Sequence, residues 1–376
     1  MTIRPRLTPA IADVRRAVRG TLAAAGDDTP GAGPGEPPDS EPGEPRVFQP
    51  APAAAAPAAA APAAAAPADR PLVLVALSGG ADSLALAAAT AFEAPRLGLR
   101  AGAVIVDHAL QESSAEAAAA AARIAASLGL APVHVRRVSV AAAGGPEAAA
   151  RDARYAALNA ARAELGAAHV LLGHTLDDQA ETVLLGLSRG SGAASLWGME
   201  RFGGVYLRPL LATRRAVTER FCADSGLSPW HDPQNDDPAF ARVRVRRRVL
   251  PVLESELGPG IAEALARTAA QLREDAEALD HFAAEMIEEL AEPAEAGISL
   301  PVVALAANPP ALRQRLIRLA VQAEFHQWLS RAHTLEVARL VTEWHGQGPL
   351  ALPGIRVERR RGLIVFSAVA HSDSLG

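Results

Sequence analysis

Apolar positions recur at helical spacing near the start of the chain and at the spacing of buried strands further on. In PAIADVRRAVRGTLAAA, residues 9–25, Ile11, Val14, Val18 and Leu22 fall on one face, with Thr8 placed as a cap and Pro9 in the first turn. This predicts an amphipathic helix for the segment 1–26. Residues 27–70 break the pattern: Pro30, Pro34, Pro37, Pro38, Pro42, Pro45 and Pro50 alternate with Gly, Glu and Asp, and AAAAP then repeats between Pro52 and Pro67. Four alanines between prolines cannot complete a stable helix, so a disordered linker with polyproline II character is expected.

From Pro71 the apolar runs shorten and alternate with alanine-rich helical stretches. LVLVAL from Leu72 to Leu77, AVIV ending at Val106, VHVRRV from Val133 and HVLLG from His169 read as strands. Strand–helix alternation predicts an α/β domain over residues 71–230, a mainly parallel sheet with helices on both faces. Ligands in such folds collect at the C-terminal ends of the strands, which here means the loops after Leu77, Val106 and Leu172. Beyond Trp230, helical segments at 260–290, 310–324 and 333–344 predict a second, mostly helical domain over 231–376. RVERRRGLIVFS, with Gly362 between a basic and an apolar run, reads as a hairpin within it.

Composition narrows the function classes. The 376 residues are 49% hydrophobic but only 4% aromatic, and much of the apolar share is alanine, so the core is built from small side chains. Cys222 is the only cysteine, which excludes an intramolecular disulfide framework, a four-cysteine zinc site and two-thiol redox chemistry, and fits a reducing cytoplasm. No charge-free apolar run of about 18 residues and no leucine-rich secretory core occurs, so no membrane partner and a cytoplasmic location are expected. All 37 basic residues are arginine and the net charge is -5, so any RNA contact must be a local patch rather than the whole surface.

Two loops carry the chemistry. SGGADS, Ser78, Gly79, Gly80, Ala81, Asp82 and Ser83, lies between a buried strand and a helix. Its glycines let the backbone approach an anion, and free amides at the helix start with two hydroxyls supply donors, as a polyphosphate requires. The spacing and lysine of a Walker A loop are missing. A carboxylate beside phosphates calls for a cation between them, which makes Asp82 a Mg²⁺ ligand; an ordinary turn capped by Asp82 and Ser83 is the alternative.

GHTLDDQAET, Gly173 to Thr182, also follows a buried strand and places Asp177, Asp178 and Glu181 together on the face of a helix. Like charges so close are easier to rationalise around a cation, either a metal or an amine substrate; a solvated first turn complementing the helix dipole is the alternative. His174 alone decides nothing. Arg151 and Arg154 share a helix face, as a solvated basic stripe would, and five of the seven residues from Arg242 to Arg248 are arginine, the density of a phosphate-contact patch.

SGGADS, GHTLDDQAET, RGSGAASLWGM from Arg189, RPLL from Arg208 and DPQNDDPAFARVRVRRRVLPVL from Asp232, in that order over residues 71–253, resemble the tRNA(Ile)-lysidine synthetase family of the PP-loop ATP pyrophosphatases. The resemblance implies a PP-loop adenine nucleotide alpha hydrolase-like sheet. It also implies that ATP adenylylates the carbon-2 oxygen of the wobble cytidine of tRNA(Ile) with a CAU anticodon, after which the side-chain amine of L-lysine displaces AMP. It assigns Ser78 to Ser83 to ATP, Asp82 to Mg²⁺, Arg154, His174, Asp178 and Glu181 to lysine and catalysis, and Arg242, Arg244, Arg246, Arg247 and Arg248 to tRNA.

Arg151, Arg154 and Tyr155 match the family's RxxRY-like segment. Asp107 and His108 follow its second strand, but Ile105 replaces a histidine and Gln111 an arginine. Val243 stands where an asparagine is usual. About thirty residues follow Trp344, too few for a further domain, so a short form is expected, with a homodimer left open. A tRNA thiolase, an amide-forming ATP pyrophosphatase and a non-catalytic nucleotide-regulated RNA-binding protein are the rivals; the single cysteine opposes the first, the arginine cluster the second, and the intact Asp82, Asp178 and Glu181 the third.

Overall fold

In a computed structural model, described for residues 7–27, 70–108, 114–138, 146–190, 193–294 and 297–369, the apolar helix pattern becomes α1 (Pro9–Asp27). The Thr8 hydroxyl accepts from the Ile11 amide at 3.4 Å. The expected linker lies outside the described residues except at its two ends, as do Gln111, Ser191 and Gly192. The alternation that follows gives β1 (Leu72–Ala76), α2 (Ala81–Glu93), β2 (Arg100–Asp107), α3 (Ser114–Ser127), β3 (Val133–Arg137), α4 (Pro146–Glu164), β4 (Ala167–Leu171) and α5 (Leu176–Arg189). A short pair, β5 (Phe202–Gly203) and β6 (Tyr206–Leu207), precedes α6 (Arg215–Asp224).

The sheet runs β3-β2-β1-β4-β6-β5, parallel except for β5. Val75 pairs with Ala103 on one side and Leu171 on the other. Because side chains alternate across a strand, β1 feeds two cores. Val73, Val75 and Leu77 join Ile11, Val14, Val18 and Leu22 of α1 and Leu84 and Leu86 of α2 on one face. Leu72, Leu74 and Ala76 meet Leu158 and Ala161 of α4 on the other. The strand order reverses between β1 and β4, and the crevice outside their carboxyl ends is where such sheets take ligands.

After α6 the chain forms α7 (Ala241–Arg244), a π-helical turn over Val245–Val249, α8 (Leu250–Leu257) and α9 (Ile261–Leu290). Val245, Leu250 and Ala262 pack on Leu176 and Ala180 of α5. The chain divides into two compact units, Met1–Arg267 and Thr268–Gly376, so residues 231–267 belong with the sheet rather than with the second domain expected from Trp230 onward. Their apolar side chains are the cover of α5, which a reading by helix content alone does not reveal.

The second unit adds β7 (Glu292–Ala294), β8 (Gly297–Pro301), α10 (Val302–Ala307), α11 (Pro310–Phe325), α12 (Arg331–Thr342), β9 (Leu350–Leu352), β10 (Ile355–Arg360) and β11 (Leu363–Ala368). The expected hairpin is β10–β11, turning at Arg361 and Gly362, both with positive φ. It is the centre of an antiparallel sheet, β7-β8-β11-β10-β9, so this mostly helical unit carries a whole sheet and not a hairpin alone. Leu305, Leu316, Ile317, Val337, Ile355 and Phe366 form its core. Among the described residues no helix is long and apolar enough to cross a membrane.

Candidate functional site

The loop after β1 is shaped by its own hydroxyls. Ser83 donates to the Gly80 carbonyl at 3.0 Å and accepts from the Ser78 amide at 3.2 Å. Gly79 has φ +87°, a left-handed conformation that glycine adopts without strain, and its carbonyl accepts from the Trp230 amide at 2.9 Å. Gly80 caps α2 without a side-chain hydrogen bond, which leaves first-turn amides of that helix available to an anion.

The loop after β4 reaches the same place. A Cβ on Gly173 would lie 3.1 Å from Cα and N of Ser83 and 3.2 Å from the carbonyl carbon of Asp82, so the second motif's glycine permits contact with the first motif's helix start. Thr175 then caps α5: its amide and hydroxyl both donate to Asp178 Oδ2 at 2.8 Å, and its Oγ1 accepts from the Asp178 amide at 3.4 Å. Asp178 is therefore both a structural cap and a buried charge with Oδ1 facing away from the cap.

RGSGAASLWGM holds α5 in position as far as it is described. The Gln179 amide group bonds both backbone groups of Met199, at 2.7 and 3.0 Å, and a Cβ on Gly198 would come within 2.5 Å of Gln179 Oε1. In RPLL, Arg208 donates to the Glu200 carbonyl at 2.8 Å.

Arg215, the first residue of α6, unites the acidic groups. Its Nη2 lies 2.8 Å from Asp178 Oδ1, Nη1 3.2 Å from Glu181 Oε1 and Nε 3.5 Å from Asp82 Oδ2, and its amide donates to Asp177 Oδ2 at 2.7 Å. Thr218, one turn on, donates to Asp82 Oδ1. Burial dominates at Asp82 and pushes its pKa up to about 6, against the lowering bonds from Thr218 and Arg215. At Asp178 burial acts in the same upward sense, but Arg215 and the Thr175 bonds outweigh it and the carboxyl is held below its usual range. Arg215 is correspondingly raised, the carboxylates overcoming its burial.

The arginine segment divides. Arg246 pairs with Glu181, Nε to Oε1 at 2.7 Å and Nη2 to Oε2 at 3.0 Å, and also reaches Asp178 Oδ1 at 3.3 Å. Arg242 lies 3.7 Å from Glu181 Oε2 and donates to Thr182 at 2.9 Å. The structure thus brings two residues of the expected tRNA patch onto the expected lysine carboxylates. Arg244 is exposed and donates to the Pro238 and Ala239 carbonyls, Arg247 is exposed and pairs with Asp236, and Arg248 is exposed.

Beside the loop of Ser78 opens a cleft of about 400 Å³, bordered by Gly80, Val106, His108, Arg154, Trp230 and Asn235. That volume is of the size that takes small ligands. Burial is the main cause lowering the Arg154 pKa, with Arg151 adding repulsion, and no ion pair to a carboxylate occupies Arg154 among the described residues. His174 is held neutral, its pKa lowered to about 3 by burial first and by Arg154, Arg208 and Arg242, with Asp178 opposing. The Nδ1 atoms of His174 and His108 are buried without a hydrogen-bond partner. His174 thus feels three cations, Arg154, Arg208 and Arg242, and one carboxylate, Asp178. Arg154 borders the cleft of the first loop, whereas Glu181 faces Arg215, Arg242 and Arg246. Among the described residues no group of three or more His, Cys, Asp or Glu could hold a metal.

Residues 57–253 match the PP-loop domain, and residues 300–364 match the TilS substrate binding domain. The chain is 66% identical over 296 residues to a tRNA(Ile)-lysidine synthase of Leifsonia xyli, an alignment covering 78% of this chain and 89% of that protein. The chain belongs to the tRNA(Ile)-lysidine synthase family. Members from Streptomyces coelicolor and Thermobifida fusca are 53% and 54% identical, over 78% and 79% of this chain and 84% and 92% of theirs. Among solved structures, a U34-tRNA thiolase NcsA from Methanococcus maripaludis with its 4Fe-4S cluster aligns at a TM-score of 0.46 and 19% identity, over 55% of this chain and 73% of that one.

Sequence reasoning missed Arg215, Thr218 and Trp230 at this lysidine synthase site. One signal was available for Arg215: Arg214 and Arg215 cap and open α6, where the helix dipole disfavours cations, and acidic partners from elsewhere must compensate. Trp230 had none, because only the fold, which bonds its amide to the Gly79 carbonyl, places it beside the SGGADS loop.

Proposed function

We propose that this chain ligates L-lysine to carbon-2 of the wobble cytidine of tRNA(Ile) with a CAU anticodon, consuming ATP and releasing pyrophosphate and AMP. The observation that carries the reading is the meeting of the two loops at the switch point, where Gly173 touches the first turn of α2. An open helix start that suits phosphates then lies beside buried carboxylates that suit an amine. ATP belongs to the PP-loop family match; the residue roles that follow are our assignment.

The amides of Gly80, Ala81 and Asp82 and the hydroxyl of Ser78 would grip the phosphates, and Arg154, a half-buried cation bordering the cleft, would meet further negative charge. Asp82 fits Mg²⁺ arriving with the nucleotide: it is a half-buried carboxylate in the first turn of α2, beside amides that suit phosphates, and Mg²⁺ commonly uses one protein carboxylate plus phosphate oxygens. Held there, Mg²⁺ would neutralise charge on the departing pyrophosphate.

The chemistry divides into two displacements. The carbon-2 oxygen attacks the α-phosphorus of ATP and pyrophosphate leaves; the lysine side-chain amine then attacks carbon-2, loses a proton and expels AMP. An adenylate leaves far more readily than an amide-like oxygen, which is the reason for the first step. Asp178 and Glu181 would hold the ammonium and accept the proton whose loss frees the amine for attack, the second proton passing to solvent after the carbon–nitrogen bond forms, while Arg154 and neutral His174 would border the rest of the amino acid. The exposed Arg244, Arg247 and Arg248 would take tRNA phosphates. All these groups come from one chain, so the reading does not require a homodimer, and it places the enzyme with tRNA in the cytoplasm. Sulfur transfer is disfavoured by Cys222, whose thiol is pushed up to about 12 by burial and by Asp82 and points at the Ala81 carbonyl, 3.4 Å away.

The test is pyrophosphate release from ATP with tRNA(Ile) and lysine supplied or withheld. Release that needs the tRNA, with AMP following only when lysine is present, supports the reading. Release without tRNA, or turnover supported by sulfide instead of lysine, would overturn it.

A further inference from the structure

Two carboxylates, Asp178 and Glu181, face three guanidinium groups, those of Arg215, Arg242 and Arg246. The three are not equivalent. Arg215 is tied to Asp82 and Asp177 as well and serves as scaffold. Arg242 is anchored on Thr182. Arg246 alone of the arginine-rich segment bridges both carboxylates, so its guanidinium fills the space that an ammonium shared by them would need.

Arg246 is also the dispensable one. Without it Asp178 keeps Arg215 at 2.8 Å, and Glu181 keeps Arg215 at 3.2 Å and Arg242 at 3.7 Å, so neither buried charge is orphaned. It sits in the π-helical turn Val245–Val249, between the exposed Arg244 and the exposed Arg247 and Arg248. A π turn carries one residue more than the α register accommodates, and a local change of register swings its side chains. A guanidinium that leaves a carboxylate for a phosphate keeps a charge-assisted partner throughout, so the two arrangements need differ little in free energy.

We propose that Arg246 is a stand-in for the substrate amine: it occupies the ammonium subsite of Asp178 and Glu181 until tRNA phosphates draw it onto the RNA, and lysine enters only then. The inference rests on the reading that this pair binds lysine. It makes Arg246 a positioning residue that orders the substrates, RNA before amine, and it gives the two ligands reciprocal coupling.

The experiment is calorimetric titration of lysine into the full chain without ATP, with and without a tRNA(Ile) transcript bearing CAU. The parent should bind lysine at least about tenfold more tightly with RNA, within the usual range of coupling between sites. Arg246→Gln should bind lysine without RNA as tightly as the parent does with it and should lose the coupling. Arg246→Lys, which can refill the subsite, should retain it. Equal affinity of the parent with and without RNA, or weaker binding by Arg246→Gln than by the RNA-free parent, would overturn the proposal. Glu181→Gln separates the two ideas: loss of lysine binding with no RNA effect in the parent leaves the lysine site standing and removes the stand-in. Unaltered lysine binding by Glu181→Gln removes the lysine site itself.

Discussion

Ionised Asp82 costs the fold stability. Its carboxyl is raised from 3.8 to about 6, mainly by burial, so folding disfavours the ionised form. Below the unfolded pKa the group is neutral in both states and costs nothing; the penalty grows as pH rises from about 4 to about 6 and is complete above that, at about 3 kcal/mol. Asp82→Asn should therefore unfold at a higher urea midpoint than the parent at pH 7.5, with the difference vanishing near pH 4, while tRNA-dependent pyrophosphate release falls at least about 100-fold. A variant less stable than the parent at pH 7.5 would contradict the burial argument. Glu181 tests the other half of the chemistry. Glu181→Gln should leave label transfer from α-labelled ATP to tRNA within about tenfold of the parent but lower lysidine formation at least about 100-fold; equal loss of both steps would remove its separate role.

At the scale of elements, the site depends on how closely β4 delivers α5 to the start of α2. Gly173→Ala would press a methyl group onto Ser83 and Asp82 backbone atoms at 3.1–3.2 Å, and overpacking of this kind costs about 1–3 kcal/mol. Because the strain falls on the loop proposed to hold the ATP phosphates, we expect KM for ATP to rise at least about fivefold in steady-state assays, with KM for lysine less affected; unchanged ATP kinetics would show that the two loops do not act together. The strands and both loops were legible because β1, β2 and β4 carry apolar runs bounded by glycine, serine or aspartate. The role of Gly173 was not, since nothing local to GHTLDDQAET says which backbone it will touch. Arg242 and Arg246 were legible as cations but not as partners of Asp178 and Glu181, because that pairing depends on the π turn over Val245–Val249 and on α5 lying beneath it. The short strands β7 and β9 escaped notice for a simpler reason: three residues each are too few to display a period.

Across the whole molecule, charge placement matters more than net charge. A chain of net charge -5 approaches RNA through local cations, and of the five arginines from Arg242 to Arg248 only Arg244, Arg247 and Arg248 are exposed. Replacing both Arg247 and Arg248 by alanine should reduce the slope of log K against log salt for tRNA binding by about 2, one for each phosphate that is no longer neutralised; an unchanged slope would place the RNA surface elsewhere. The division of the chain was the part least legible in sequence. Helices beyond Trp230 suggested a new domain, yet Val245, Leu250 and Ala262 bury against α5, and the second unit begins only at Thr268. The proposed site thus draws on residues from both sides of the boundary that composition suggested. The most direct measurement of the central claim is mass-spectrometric nucleoside analysis of tRNA(Ile) bearing CAU after incubation with the chain, ATP, Mg²⁺ and lysine. The account requires lysidine in place of the wobble cytidine, formed only when ATP and lysine are both present; an unmodified cytidine after ATP has been consumed in the presence of lysine would contradict it.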